Sequence, residues 1–267
     1  SVKEYLDIMD HRKTEQLIDT LDKVEQNRKE CYIREFSIEH FHDSKVFETL
    51  IPKICKIFRE ENEELTGFEN EEILAEYQIY KTPGYVYMKG NVQIYSAGKQ
   101  AADISAFPEG IAVAVGSEED VPDICPDQTI DKVFTIENLT SFYRFKQEHS
   151  LVIYLGGYHD RSRRNLLMQI YQKLPDAQYY HFGDLDAGGF YILEHLKRKT
   201  GIPFQMFQMD IETLKKYEDY AKPLTENDKK RLMQLEKMEL PDKERKLITY
   251  MLQKGIKLEQ ECISESQ

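Results

Sequence analysis

The chain is poor in the features that mark secreted, membrane-spanning or metal–thiolate proteins. Its four cysteines, Cys31, Cys55, Cys125 and Cys262, are scattered through 267 residues with no CxxC pair. That spacing suggests neither a zinc site nor a disulfide framework, and it fits reduced thiols in a cytosol. No apolar run approaches the roughly 20 residues that cross a bilayer; "IAVAVG" at 111–116 is strand-sized. The opening segment "SVKEYLDIMDHRKTEQ" has no apolar core of the kind a secretory leader needs. The expectation is a cytoplasmic protein with no membrane association. Internal repeats and low-complexity tracts are also missing.

Positive charge is in deficit. Lys and Arg number 36 against 48 Asp and Glu, a net charge of −12. Nucleic-acid binding draws on cationic side chains that displace counterions, so a DNA-handling role here needs a local basic patch, a metal or a more basic partner. What is present is an ordinary globular composition, 40% hydrophobic and 31% charged, in a chain long enough for one large or two ordinary domains.

Residues 1–30 read as a charged helix or linker, with Leu6, Met9, Leu17, Leu21 and Val24 at helical spacing. A short β-prone run at Cys31 leads into a helix whose apolar face is Val46, Phe47, Leu50, Ile51, Ile54 and Ile57, with Pro52 as an irregularity. Between 76 and 116 the short runs "EYQIYK", "GYVYMKG", "VQIYSAG" and "GIAVAVG" read as strands divided by Pro and Gly turns. A helix followed by a small antiparallel sheet suits a winged-helix-like module over 31–125. "DVPDICPDQTID" reads as the boundary.

Beyond it strands and helices alternate: "KVFTI", "LVIYLGG", "AQYYHF" and "IPFQMFQ" are strands, each followed by a helical run. Four βα units predict a parallel sheet flanked by helices over 130–267, with a charged helical tail in which Thr225 is placed as an N-cap. Parallel sheets carry their functional groups at the carboxyl ends of the strands. Two of these strands end on acids, the first at Glu137 and the third in "HFGDLD", at Asp184 and Asp186. Side chains two apart in an extended segment point to one side, so both aspartates can reach one ion. Three such carboxylates are an oxygen-rich set suited to Mg²⁺ or Mn²⁺. Glu137 can instead stand outside the coordination shell as general acid or base. The plain alternative is a strand-to-helix turn of Asp and Gly with an aspartate cap. Gly156 and Gly157 lack the Lys-Ser/Thr of a phosphate-binding loop, and His40, His42, His149, His159 and His181 show no ligand spacing.

Glu137 at one strand end and the DxD at another resemble the Toprim pattern. The ordered segments "REFSIEHFHDSKVFETL", "IENLTSFYRF", "YLGGYHDRSRRNLL", "HFGDLDAGGFYIL" and "GIKLEQECI" together resemble the JetD family of Wadjet nuclease subunits, related to the topoisomerase VI A subunit. The resemblance implies a winged-helix-like (CAP) domain followed by a Toprim domain, and a homodimer. It also implies cleavage of closed circular plasmid DNA in bacterial defence, on recruitment by a condensin-like SMC complex. Glu137, Asp184 and Asp186 would be the catalytic and metal-binding acids. Arg161, Arg163, Arg164 and, more weakly, Lys45 are candidate DNA contacts. Such proteins carry an additional N-terminal arm domain, for which little room precedes residue 31; a fragment or a shorter variant is expected. A tyrosine transesterase using Tyr32, Tyr77, Tyr80, Tyr85 or Tyr87, and a non-catalytic DNA-binding or dimerisation module, are the alternatives.

Overall fold

A computed structural model describes residues 11–62, 65, 68–81, 84–96, 98–115, 123–156 and 161–263. Leu6, Met9, Gly157 and His159, which figured in the sequence reading, lie outside them. The chain forms two compact units, the first ending at Gly84 and the second beginning at Tyr85, with Arg161 and Ser162 grouped with the first.

The first unit comprises α1 (His11–Gln26), β1 (Cys31–Tyr32), α2 (Ile33–Phe41), α3 (Val46–Glu61), α4 (Asn70–Glu76) and β2 (Ile79–Tyr80). Helix α3 buries Phe47, Ile54, Cys55, Ile57 and Phe58 and runs through Pro52. Its Phe47 ring meets Phe36 of α2 at a centroid distance of 4.5 Å. β1 and β2 pair in parallel, Cys31 opposite Ile79. "EYQIYK" is mostly not strand: α4 runs through Glu76, and only Ile79 and Tyr80 are extended.

The second unit begins with β3 (Gly84–Lys89), β4 (Val92–Ser96), β5 (Lys99–Asp103), β6 (Ile111–Val115) and β7 (Asp123–Pro126). It continues through β8 (Lys132–Ile136), α5 (Leu139–Arg144), β9 (Ser150–Tyr154), α6 (Arg161–Lys173), β10 (Gln178–Phe182), α7 (Ala187–Thr200), β11 (Gln205–Met206) and α8 (Ile211–Lys216). The tail holds β12 (Lys222–Pro223), α9 (Glu226–Leu235), α10 (Asp242–Lys254) and β13 (Ile256–Lys257).

Among the described residues, the main sheet has the order β11-β10-β8-β9-β3-β6. β9, β8, β10 and β11 run parallel, and β3 joins β9 antiparallel. The expected alternation of strands and helices is therefore present, and the protein is a mixed α/β structure. The strand-rich stretch does not make one sheet. β4, β5 and β7 form a separate antiparallel sheet, while β3 and β6 extend the main one. The reason is visible in β3: Val86 and Met88 are buried on one face, and Tyr87 packs on the other against Phe142 and Tyr154. A strand with both faces covered belongs within a layered sheet.

The same holds for β8 and β9, where Val133, Phe134, Ile136, Leu151, Val152 and Ile153 are all buried. One core joins Phe134, Ile136 and Val152 to Phe142, Phe182 and Phe190, and to Leu232, Leu247 and Met251 of the helical tail. Each such side chain contributes about 1.5–3 kcal/mol through its removal from water. That packing fixes the positions of the strand ends.

Candidate functional site at the carboxyl edge of the parallel sheet

The chain leaves β8 to form β9 on one side, then crosses over to place β10 on the other side of β8. Adjacent parallel strands whose connections depart in opposite directions open a crevice at their carboxyl ends, and ligands bind α/β sheets there. The strands flanking this switch are β8 and β10. The residues that leave them are Glu137 and the segment Gly183–Asp186.

Each acid is held by a specific local arrangement. Glu137 lies between β8 and an N-cap, Asn138, whose side chain accepts the Thr140 and Ser141 N–H groups at 2.8 and 3.1 Å. Strand pairing continues one residue further, through the Glu137 N–H to the Phe182 carbonyl at 3.0 Å. The Asp184 N–H then donates to Oε2 of Glu137 at 3.2 Å. Asp186 caps α7, its Oδ1 accepting the Gly189 N–H at 3.0 Å. This cap is what the plain turn reading predicts for Asp186. The turn reading does not account for the joining of Glu137 to Asp184 across two strands.

Glycines permit the approach. A Cβ on Gly183 would lie 2.6 Å from Glu137 Oε2 and 2.8 Å from His181 Nε2. A Cβ on Gly189 would lie 2.2 Å from the Asp184 carbonyl oxygen. Gly189 thereby makes room for the aspartate turn itself.

The site is electronegative and partly desolvated. Burial pushes the Asp184 carboxyl up to about 6 against the opposing pull of the Gln260 N–H, and the carboxylates of Asp186, Glu261 and Glu259 push the same way as burial. Beneath the acids, His181 is fully buried, and its Nδ1 lies 2.9 Å from Thr135 Oγ1. Burial, reinforced by Lys197, lowers this imidazole to about 3, so it is neutral.

The donor set, carboxylate oxygens from adjacent strand ends, has the chemistry of a hard-cation site. Among the described residues, no three acidic, His or Cys side chains converge closely enough to enclose an ion. Glu137 and Asp186 turn oxygens toward backbone N–H groups. Mg²⁺ fits such an open arrangement, because it takes one or two carboxylates and completes its shell with water and substrate phosphate.

The basic candidates are spread out. Arg161 opens α6, Arg163 donates to the Tyr85 carbonyl at 3.3 Å, and Arg164 is buried at 9% exposure. Lys45 is exposed in the first unit, its own N–H held by Asp43 at 2.7 Å. A cavity of about 750 Å³ adjoins the strand ends, lined in part by Tyr143, Arg144, Lys146, Phe182, Phe207 and Glu261. Arg144, Lys146, Gln260 and Glu261 had not been singled out from the sequence. For the last two the signal was available in "GIKLEQECI", a segment noted only for its resemblance.

The fold and site define the class first: an α/β protein with acidic side chains at the switch point of a parallel sheet. Residues 119–267 match the family described as Wadjet protein JetD, C-terminal. The chain belongs to that family, since the match covers more than half of it. It is also similar to the Wadjet protein JetD of Bacillus cereus (strain Q1), at 28% identity over 263 residues, 97% of this chain and 63% of that protein. The chain thus spans less than two thirds of the length of this relative.

Proposed function

We propose that this chain is a metal-dependent DNA endonuclease of a Wadjet-type plasmid-defence system, hydrolysing phosphodiester bonds through Glu137, Asp184 and Asp186. The observation that carries the reading is the joining of Glu137 and Asp184, through a backbone hydrogen bond, at the switch point of a sheet in a JetD-family chain. In this reading residues 31–125 are a winged-helix-like (CAP) domain and residues 130–267 a Toprim domain. The partners are double-stranded circular DNA, a condensin-like SMC complex and a second copy of the chain.

Asp184 and Asp186 would hold Mg²⁺ or Mn²⁺, with Glu137 either sharing the ion or taking the proton of the attacking water. When bound, the ion would supply activation of water and stabilisation of the leaving oxygen. Burial of Asp184 suits it to a partner cation, because an ionised carboxylate removed from water gains most from a nearby positive charge. The acidic balance of the chain is compatible with delivery to DNA by other subunits. Arg161, Arg163, Arg164 and Lys45 stay candidate DNA contacts; for Arg164 that role requires its side chain to emerge from its buried position.

Hydrolysis is preferred to transesterification. The resemblance to the JetD family favours it, and of the five tyrosines considered as nucleophiles Tyr77 is further disfavoured: burial pushes it up to about 12, and a phenol so hard to ionise is a poor attacking group. The test is cleavage of supercoiled plasmid with Mn²⁺ or Mg²⁺, alone and with the SMC partners, comparing wild type with Glu137→Ala and Asp184→Ala. Metal-dependent cutting with free ends, lost in both variants, is expected. Protein-linked ends, or cutting that survives both substitutions, would overturn the assignment.

A further inference from the structure

We infer that Gln260 is a positioning residue that locks the two acid-bearing turns at a fixed separation; this rests on the nuclease reading and deepens it. Gln260 is wholly buried. Its backbone N–H donates to Asp184 Oδ1 at 2.7 Å. Its side-chain oxygen accepts the Asn138 N–H at 2.8 Å, and its side-chain nitrogen donates to the Phe182 carbonyl at 3.0 Å. One glutamine therefore holds the residue after Glu137, the residue two before Asp184, and Asp184 itself.

The segment bearing Gln260 is fixed on both sides. Leu258 and Leu185 exchange backbone hydrogen bonds at 2.9 and 3.1 Å, placing the segment beside the turn between the two aspartates. Glu261 accepts the Asn138 side-chain N–H at 2.5 Å. Pairing between β8 and β10 ends with the Glu137 N–H on the Phe182 carbonyl. Past that point the turns diverge, and Gln260 bridges them. An amide serves because it offers an acceptor to one turn and a donor to the other, with no charge added to an already negative site. A buried amide must make these bonds, since leaving them unmade is costly. Residues that orient metal-binding side chains typically change metal affinity or activity by about 10–100-fold when replaced.

The test compares wild type, Gln260→Ala, Gln260→Glu and, as a control for packing of the same segment, Ile263→Ala. Glu137→Gln reports on the nuclease reading. The readouts are Mn²⁺ affinity by calorimetry, plasmid cutting, thermal midpoint, and hydrogen exchange of the Asn138 amide, which needs no metal. Gln260→Ala is expected to speed Asn138 exchange and to weaken Mn²⁺ binding by about 10-fold or more. Gln260→Glu keeps the acceptor for Asn138 but sets a carboxylate oxygen against the Phe182 carbonyl and adds negative charge, so it keeps slow Asn138 exchange and is expected to cut less than wild type. Ile263→Ala is expected to lower the thermal midpoint while sparing Mn²⁺ affinity. If both Gln260 variants bind and cut like wild type while Glu137→Gln does not, the positioning role is overturned and the nuclease reading stands. Equal loss of Mn²⁺ affinity in Ile263→Ala also overturns it, since packing alone would then explain the effect. If wild type neither binds Mn²⁺ nor cuts, with or without the SMC partners, the nuclease reading fails and the positioning role falls with it.

Discussion

Thr135 and His181 sit opposite one another in the register of β8 and β10, Oγ1 and Nδ1 2.9 Å apart, directly below the turns that carry Glu137 and Asp184. The floor of the candidate site is therefore a buried polar pair flanked by the apolar Phe134, Ile136 and Phe182. Because both members are fixed by strand pairing, the floor constrains what can sit above it.

Gly183 is the first point at which that constraint can be tested. Gly183→Ala places a methyl group 2.6 Å from a Glu137 carboxylate oxygen and 2.8 Å from His181 Nε2. Something must shift, and overpacking of this kind costs about 1–3 kcal/mol. A lowered thermal midpoint and a drop in cutting of roughly 10²-fold are expected, because displacement of a catalytic group by about 1 Å has that effect. Calorimetry and a plasmid assay measure the two together.

Isosteric neutralisation separates charge from shape. Glu137→Gln and Asp184→Asn are expected to fold and to lose cutting by at least about 10²-fold, the scale of a lost acid–base contribution. Mn²⁺ affinity should fall most clearly for Asp184→Asn. Near-UV circular dichroism checks the fold, and analysis of the DNA ends checks the chemistry.

The pH dependence of stability should carry the imprint of two buried histidines. His181 and His195 are both lowered to about 3, chiefly by burial; Lys197 adds to this at His181, and Arg164, Lys199 and Arg198 at His195. In the unfolded chain an imidazole titrates at about 6.5. Between these values the unfolded state binds more protons, so stability is fully present above about pH 6.5 and is lost as pH falls toward 3. His195→Gln should weaken that acid sensitivity. Denaturant midpoints for wild type and variant, taken from pH 7 to pH 4, should converge or cross as the pH drops.

The tail offers a change away from the acids. Thr225 caps α9, with Oγ1 accepting the Asp228 N–H at 3.1 Å, and Asp228 pairs with Lys257 at 2.8 Å. Thr225→Ala should cost about 1 kcal/mol, the usual value of a lost cap. Denaturant unfolding reads the loss, and plasmid cutting should stay near wild type.

Much of the second unit was legible in the sequence. "KVFTI", "LVIY" and "QYYHF" are short β-branched and aromatic runs divided by helical periods, and β8, β9 and β10 lie on them. The Thr225 cap was legible because it depends only on residues within one turn. Glu137, Asp184 and Asp186 could be placed at strand ends for the same local reason. β5, with the sequence "KQAAD", escaped because its residues have low strand preference and its pairing with β4 supplies the order.

Only tertiary structure decided the rest. That β3 leaves its sequence neighbours to flank β9 depends on which apolar faces need cover, a property of the assembled layers. The Glu137–Asp184 hydrogen bond spans 47 residues, and the Gln260 bonds to Asp184, Phe182 and Asn138 span 76, 78 and 122. Composition and periodicity report on neighbours within a few residues. A buried glutamine between two strand ends leaves no such local trace, because its partners are set by sheet order and the path of the tail.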